Sequence, residues 1–194
     1  MEKILTIVIP TYNMQDYLRR CLDSLIVPEE QMKHLEVLVV NDGSKDNSSA
    51  IAHEYQDKYP DTFRVIDKEN GNYGSCVNRG LKETIGKYFR ILDADDWFGT
   101  NVLNKFLVYL QTIDVDVVYT SFATVRYDGS IKKDVEVTSQ KQFETEIIVD
   151  LTVNTLQNEF FHMHSLTYKT SLLKNICFKQ EEKICYTDTE YVFY

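Results

Sequence analysis

The strongest constraint on the fold is an alternation of two hydrophobic patterns over the first 120 residues. Continuous apolar runs, such as ILTIVI at 4–9 and LEVLVV at 35–40, are typical of buried parallel strands. Between these runs, apolar residues recur at the 3.6-residue spacing of a helix that buries one face. The pattern predicts strands at 4–9, 35–40, 63–66, 88–92 and 115–119, and helices at 14–26, 47–59, 75–85 and 101–111. Asp46 or Asn47 is placed to cap the second helix, and Gly86 to end the third.

Four successive strand–helix–strand units predict an α/β fold with a mostly parallel central sheet flanked by helices. Ligands bind such sheets where the carboxyl ends of the strands open out, so the loops after the strands are the candidate sites.

The second part of the chain has a different pattern, which predicts a smaller antiparallel portion. It suggests a hairpin over 121–137 around Asp128-Gly129, a helix near 142–152, a strand at 161–168 and a helix at 170–175. We therefore expect residues 1–120 and 121–194 to be two halves of one domain. The final segment, 188–194, ends on apolar residues without a helix stop signal, so we expect a chain lacking a C-terminal portion.

Composition excludes several classes of protein. With 21 Lys and Arg against 30 Asp and Glu, the net charge of −9 argues against nucleic acid or an anionic membrane as a broad partner. No apolar run approaches the roughly 18 residues of a transmembrane helix, and the N-terminal run is too short for a signal peptide. The four cysteines show no C-x-x-C pair, so we expect reduced thiols and a cytoplasmic protein.

The loop after the fourth strand is strongly acidic. It reads Leu-Asp-Ala-Asp-Asp-Trp and carries Asp93, Asp95 and Asp96. Like charges so close together repel one another, and a hard divalent cation would neutralise them. The alternative is an acidic turn in which an aspartate caps the next helix.

Three other loops carry candidate binding residues with an ordinary alternative for each. Asp42, in the segment NDGSKD, could accept a hydrogen bond from a nucleobase N–H or belong to a plain turn. Tyr12, in the segment PTYN, could stack on a base, or the segment could simply cap the following helix. Arg79 could reach a diphosphate or remain a solvated helix charge.

Taken together, IPTYN, VVNDGSKDNS, GNYGSCVNRG and ILDADDW, in this order, resemble the motifs of glycosyltransferase family 2. The resemblance is close over residues 4–120 and looser beyond them. It implies the nucleotide-diphospho-sugar transferase (GT-A) fold, with residues 1–120 binding the donor and 121–194 forming the acceptor side.

The resemblance implies a role for each matching position of the nucleotide-sugar site. Pro10, Thr11 and Tyr12 would line the nucleoside pocket, Asp42 would hold the base, usually uracil, and Arg79 would contact the diphosphate.

The acidic loop would hold the metal. Asp95 would contact Mn²⁺ or Mg²⁺ most directly, Asp93 would ligate it nearer the ribose, and Asp96 would support them.

The resemblance also implies the reaction, an inverting hexosyl transfer from a nucleotide-diphospho-sugar such as a UDP-sugar to an acceptor hydroxyl. Asp188 matches the catalytic base, although Thr187 replaces the usual Glu of the Glu-Asp motif; alternatively, Asp188 caps a final helix. The competing hypothesis is a truncated or inactive module that binds a nucleotide sugar without transferring it.

Further expectations concern partners and two unassigned features. The family suggests a glycan or glycolipid acceptor, polysaccharide biosynthesis for the cell envelope, and work at the cytoplasmic face of a membrane, with peripheral contact through the missing C-terminal portion. His162 and His164 could face one side of a strand and bind metal, or pack near the acceptor site. Trp97 could form the floor of the sugar site or belong to the core.

Overall fold

The protein is described from a computed structural model, which covers residues 2–99, 101–125 and 162–182. The strands are β1 (Leu5–Thr11), β2 (Leu35–Asn41), β3 (Phe63–Asp67), β4 (Tyr88–Ile91), β5 (Val117–Tyr119) and β6 (Leu166–Lys169). The helices are α1 (Leu18–Asp23), α2 (Glu29–Met32), α3 (Ser48–Lys58), α4 (Asn72–Glu83), α5 (Val102–Leu110) and α6 (Thr170–Asn175). A single 3-10 turn, Met163–Ser165, precedes β6.

These strands form one six-stranded sheet in the order β3-β2-β1-β4-β6-β5. The first four strands are parallel, as the sequence pattern predicts, while β6 is antiparallel to both β4 and β5. Because β5 therefore runs in the direction of the first four strands, its carboxyl end reaches the same edge of the sheet. The amino end of β6, with the 3-10 turn, lies at that edge too.

The core is divided by the sheet into two layers, which explains the continuous apolar runs. Successive residues of a strand point to opposite faces. Leu5, Ile7 and Ile9 of β1 pack in the layer that contains α1, α3 and α5, whereas Val8 packs in the layer that contains α4 and α6. A strand buried on both faces carries apolar residues at most positions, and its buried polar side chains are paired, as Thr6 Oγ1 is with Glu36 Oε2 at 2.6 Å.

The position of β6, between β4 and β5, is not predicted by the sequence pattern. Arg90, buried near the carboxyl end of β4, donates from Nη1 to Thr167 Oγ1 on β6 at 3.0 Å and to Thr120 Oγ1 at 3.1 Å. A buried guanidinium needs several acceptors, and β6 and the residue after β5 supply two of them.

Gly86 does not end α4, which corrects the prediction made from the sequence. The helix ends at Glu83, and Thr84 is already extended. A Cβ atom on Gly86 would lie 2.6 Å from the Thr6 backbone nitrogen, so the glycine allows this loop to approach β1. The helix expected at 14–26 is also shorter, because residues 14–17 form an irregular turn before α1.

The second part of the chain is only partly described. The predicted strand at 161–168 is instead the 3-10 turn followed by β6, and the short helix at 170–175 is confirmed as α6. Most of the predicted hairpin, the predicted helix at 142–152 and the segment 188–194 lie outside the described residues.

Candidate active site

The carboxyl edge of the sheet carries a cleft of about 540 Å³. The loops that follow β1, β2, β3 and β4 all contribute to it, as expected for a parallel sheet. Its lining residues are Pro10, Thr11, Tyr12, Met14, Asp42, Asn70, Asn72, Tyr73, Cys76, Asp93, Ala94 and Asp95. Six of the residues predicted from sequence are therefore brought together: Pro10, Thr11, Tyr12, Asp42, Asp93 and Asp95.

The loops after β1 and β2 are joined by hydrogen bonds. Asn13, which adopts a positive φ of 54°, donates its backbone N–H to Ser44 Oγ at 3.0 Å, and its side-chain oxygen accepts the Lys45 N–H at 2.8 Å. The Asp42 N–H donates to the Thr11 carbonyl at 2.8 Å. Tyr12 lies between these contacts with 46% of its surface exposed, so its ring is available to a flat ligand in the cleft.

Asp42 is the most constrained acidic residue of the cleft, with 3% of its surface exposed. Its Oδ1 accepts the Gly71 N–H at 2.9 Å and pairs with Lys68 Nζ. Lys68 Nζ also donates to Ser75 Oγ at 2.9 Å and to the Glu69 carbonyl at 2.7 Å. A buried carboxylate of this kind is stabilised by its charged partner and backbone donor.

The acidic loop turns directly after β4. The Asp96 N–H closes a turn on the Asp93 carbonyl at 3.0 Å, and Tyr73 donates its hydroxyl to Asp93 Oδ1 at 2.8 Å. Asp95 is exposed, whereas Asp96 is partly buried and does not line the cleft. Burial, and then the charges of Asp93 and Asp95, raise the pKa of Asp96 to about 6.

The carboxylate oxygens of this loop are suited to one kind of cation site. Across the described ranges no three His, Cys, Asp or Glu side chains converge into a metal cage. Mg²⁺, however, is commonly held by one or two carboxylates while water and substrate phosphates complete its shell. Asp93 and Asp95 supply two hard oxygen ligands on the cleft. The pair fits a divalent cation that is shared with a phosphate ligand.

Three predicted site residues are not among the described residues that line the cleft: Asp96, Arg79 and Asp188. Arg79 does not line it; its Nε donates to Glu83 Oε1 at 3.0 Å, one turn further along α4. The diphosphate contact of Arg79 therefore gains no support from this arrangement and stays a prediction. Asp188 lies outside the described residues.

His162 and His164 do not lie on a strand, and Trp97 does not lie on the cleft. His164 lies in the 3-10 turn and His162 just before it, so the two do not form an alternating pair on a strand. Their rings stack at 5.4 Å, and Phe122 packs edge-on against both. Trp97 does not line the cleft, and the Arg20 guanidinium covers its ring at 3.1 Å from the centroid.

Sequence analysis assigned no role to several residues that line the cleft or contact its lining. Lys68, which pairs with the cleft residue Asp42, directly follows β3, so its place at a strand end could have identified it. Asn70, Asn72 and Tyr73 line the cleft and lie in or directly before the motif GNYGSCVNRG, in which only Arg79 was given a role. Cys76 also lines the cleft, but burial raises the pKa of its thiol to about 12, so it remains a neutral small side chain.

Solved structures of similar shape have the GT-A fold, and this chain shares that fold. S. aureus TarS 1–349 in complex with UDP-GlcNAc superposes with a TM-score of 0.70 at 20% identity, covering 97% of this chain and 52% of that solved chain. The mannosyltransferase PcManGT of Pyrobaculum calidifontis, in complex with GDP-Man and Mn²⁺, has a TM-score of 0.67 at 18% identity and covers 98% of this chain and 51% of its own.

The chain belongs to glycosyl transferase family 2, whose sequence profile matches residues 6–175. The minor teichoic acid biosynthesis protein GgaB of Bacillus subtilis is 32% identical over 183 residues, which are 92% of this chain and 19% of GgaB. The uncharacterized glycosyltransferase MG025 of Mycoplasma genitalium is 40% identical over 97 residues, or 49% of this chain and 32% of that protein. The chain thus spans about a third or less of these two relatives.

None of the helices in the described part of the chain combines the length and the apolar character that crossing a bilayer requires.

Proposed function

We propose that this chain is the donor-binding catalytic core of an inverting, metal-dependent glycosyltransferase that uses a UDP-sugar. The observation that carries the proposal is the single cleft in which a buried base-acceptor candidate, Asp42, and two metal-ligand candidates, Asp93 and Asp95, occur together. Family membership supports the reaction class.

The base would be recognised by Asp42 together with Lys68. Uracil presents an N–H next to a carbonyl, so a carboxylate acceptor beside an ammonium donor is complementary to that edge. Asp42 and Lys68 form such an adjacent pair, and Tyr12 offers an exposed ring for stacking. Guanine has the same N–H and carbonyl arrangement, so a guanosine nucleotide is the competitor that must be tested.

The phosphate end of the donor would lie against Asp93 and Asp95, which would hold Mn²⁺ or Mg²⁺. When bound, the cation would neutralise the negative charge of the diphosphate. It would also stabilise the additional charge that develops as the diphosphate leaves. Support comes from the two hard oxygen donors on the cleft. Asp96 would favour cation binding through its negative charge nearby and would not contact the cation itself.

Asp188 is proposed as the general base on the resemblance alone. A free aspartate titrates near about 3.9 and is ionised at neutral pH. It would accept the proton of the acceptor hydroxyl as the oxygen attacks the anomeric carbon on the face opposite the departing diphosphate. A single displacement of this kind inverts the anomeric centre.

The experiment for the donor is a thermal-shift panel of UDP-, GDP- and other nucleotide sugars, each with Mn²⁺ and with a chelator. A Mn²⁺-dependent rise in Tm for UDP-sugars above the others is expected, because a ligand that binds only the folded state stabilises it. An equal response to every nucleotide sugar would contradict recognition of the base, and an equal response in chelator would contradict the metal dependence.

The experiment for the base is the substitution Asp188→Asn. It should leave donor affinity unchanged and abolish transfer in a full-length chain, with wild-type protein as the reference. Undiminished turnover would exclude Asp188 as the base. Metal-dependent donor binding by the wild type, with no product from any acceptor, would instead favour a binding module without transferase activity.

The acceptor and the location rest on the family resemblance. A glycan or glycolipid of the cell envelope is proposed as the acceptor, and the similarity to GgaB over 92% of this chain supports testing teichoic acid precursors first. A cytoplasmic location and a peripheral membrane contact stay predictions.

A further inference from the structure

We propose that Tyr73 is a positioning residue of the donor site, whose hydroxyl fixes the carboxylate of Asp93 for its ligand. The inference rests on the proposed function, because it assigns to Asp93 a place in nucleotide and metal binding. It adds a residue that no motif of the acidic loop contains.

The central contact joins two loops of the cleft. Tyr73 is the second residue of α4, and its hydroxyl donates to Asp93 Oδ1 at 2.8 Å. Both side chains line the cleft. A hydrogen bond to an ionised carboxylate is stronger than one between neutral groups, and it restricts the rotation of the carboxylate.

A second contact restricts the tyrosine itself. The Tyr73 oxygen lies 3.4 Å from Met163 Sδ in the 3-10 turn. A hydroxyl has one proton and a thioether is a weak acceptor, so the proton goes to Asp93 and Met163 packs against the oxygen. The 3-10 turn is itself held to β4, because Arg90 Nη2 donates to the His164 carbonyl.

These contacts place Tyr73 between the donor loops and the part of the chain that follows residue 161. A site needs its ligating groups held within a narrow range of positions, and neighbouring hydrogen bonds provide this support. Loss of the hydroxyl would remove this restraint on the Asp93 carboxylate, and ligand binding would have to order the carboxylate further.

The test is the substitution Tyr73→Phe, which keeps the ring and removes only the hydroxyl. The matched control is Tyr55→Phe, because the Tyr55 hydroxyl likewise donates to an aspartate, Asp23 Oδ1, at 2.7 Å on α1, and neither residue lines the cleft. Binding of UDP and of GDP is measured by calorimetry over a series of Mn²⁺ concentrations, and the Tm of each ligand-free variant is recorded.

For the nucleotide that the wild type binds, Tyr73→Phe should lower the affinity about tenfold, the size expected for loss of a charged hydrogen bond. It should also raise the Mn²⁺ concentration at half-maximal binding, whereas Tyr55→Phe should change neither. Wild-type affinity in Tyr73→Phe, or an equal loss in both variants, would overturn the role of Tyr73. Failure of the wild type to bind either nucleotide with Mn²⁺ would overturn the proposed function instead.

Discussion

At the scale of single residues, the aspartates of the cleft differ in burial, and this difference suits them to different kinds of ligand contact. Asp42 is buried and held by Lys68 and the Gly71 N–H, so its position is set before any ligand arrives. Asp95 is exposed, so it can change its partners at little cost. A fixed acceptor is suited to recognising a base, while an exposed carboxylate is suited to exchanging water for a cation.

The first prediction concerns Asp95. Asp95→Ala should abolish the Mn²⁺-dependent part of UDP binding, because it removes one of the two carboxylates on the cleft. Calorimetry with and without Mn²⁺ measures this, with Asp57→Ala as the control, since Asp57 is an exposed aspartate on α3 outside the cleft. Retained Mn²⁺-dependent affinity in Asp95→Ala would contradict the metal assignment.

The second prediction concerns Asp96, whose pKa is raised to about 6 by burial and by Asp93 and Asp95. An acid with a higher pKa in the folded state binds protons more tightly there, so protein stability rises as the pH falls from about 7 toward about 4. Asp96→Asn should therefore stabilise the metal-free protein at about pH 8, by about 2 kcal/mol after solvent screening, and this gain should vanish near about pH 4.

Thermal melts of wild type and Asp96→Asn in chelator across this pH range provide the measurement. A stabilisation by Asp96→Asn that is the same at every pH would show that ionisation of Asp96 is not its cause.

At this scale, sequence predicts which residues reach the cleft where they belong to a motif at a strand end. Asp42 and Asp93 follow strands in acidic motifs, and both line the cleft. Lys68 also follows a strand but belongs to no acidic motif, and Tyr73 lies on α4 and is recognised only by its contact with Asp93. The opposite case is Arg79, where the Glu four residues later was a visible sign of an i,i+4 ion pair along the helix.

At the scale of elements, the parallel direction of the first four strands was predictable from the sequence, whereas their order was not, because β4 lies beside β1 and not beside β3. The parallel strands β1 to β4 follow from alternating strand and helix patterns. By contrast, β6 enters the sheet between β4 and β5 from 46 residues beyond β5. Its place depends on long-range contacts, including the bonds from Arg90 to the Thr167 and Thr120 hydroxyls, which no local pattern contains.

The third prediction concerns the packing of α4 on β1. A Cβ on Gly80 would lie 2.6 Å from Val8 Cγ2. Gly80→Ala should therefore lower stability by about 1–3 kcal/mol, although alanine is the better helix former by about 1 kcal/mol. Urea unfolding of Gly80→Ala, Val8→Ala and the double variant measures the effect.

The double variant should lose less stability than the sum of the single variants, because removing the Val8 methyl groups makes room for the new one. Strictly additive losses would contradict the close approach of α4 to β1.

At the scale of the whole molecule, the direction of the strands assembles the cleft. All four parallel strands end at one edge, and their loops come from positions between Pro10 and Asp95. The net charge of −9 says little about function by itself. The positions of Asp42, Asp93 and Asp95 in one cleft say more, because an anionic ligand that approached these carboxylates would need a cation to offset the repulsion.

The central claim is that this cleft binds a nucleoside diphosphate together with a divalent cation. Its most direct test is a crystal structure with UDP and Mn²⁺, using anomalous diffraction to locate the metal. We predict a manganese peak within bonding distance of the Asp95 carboxylate, with the diphosphate on the same ion and the uracil against Asp42. A nucleotide bound elsewhere, or a manganese peak away from Asp93 and Asp95, would contradict the account.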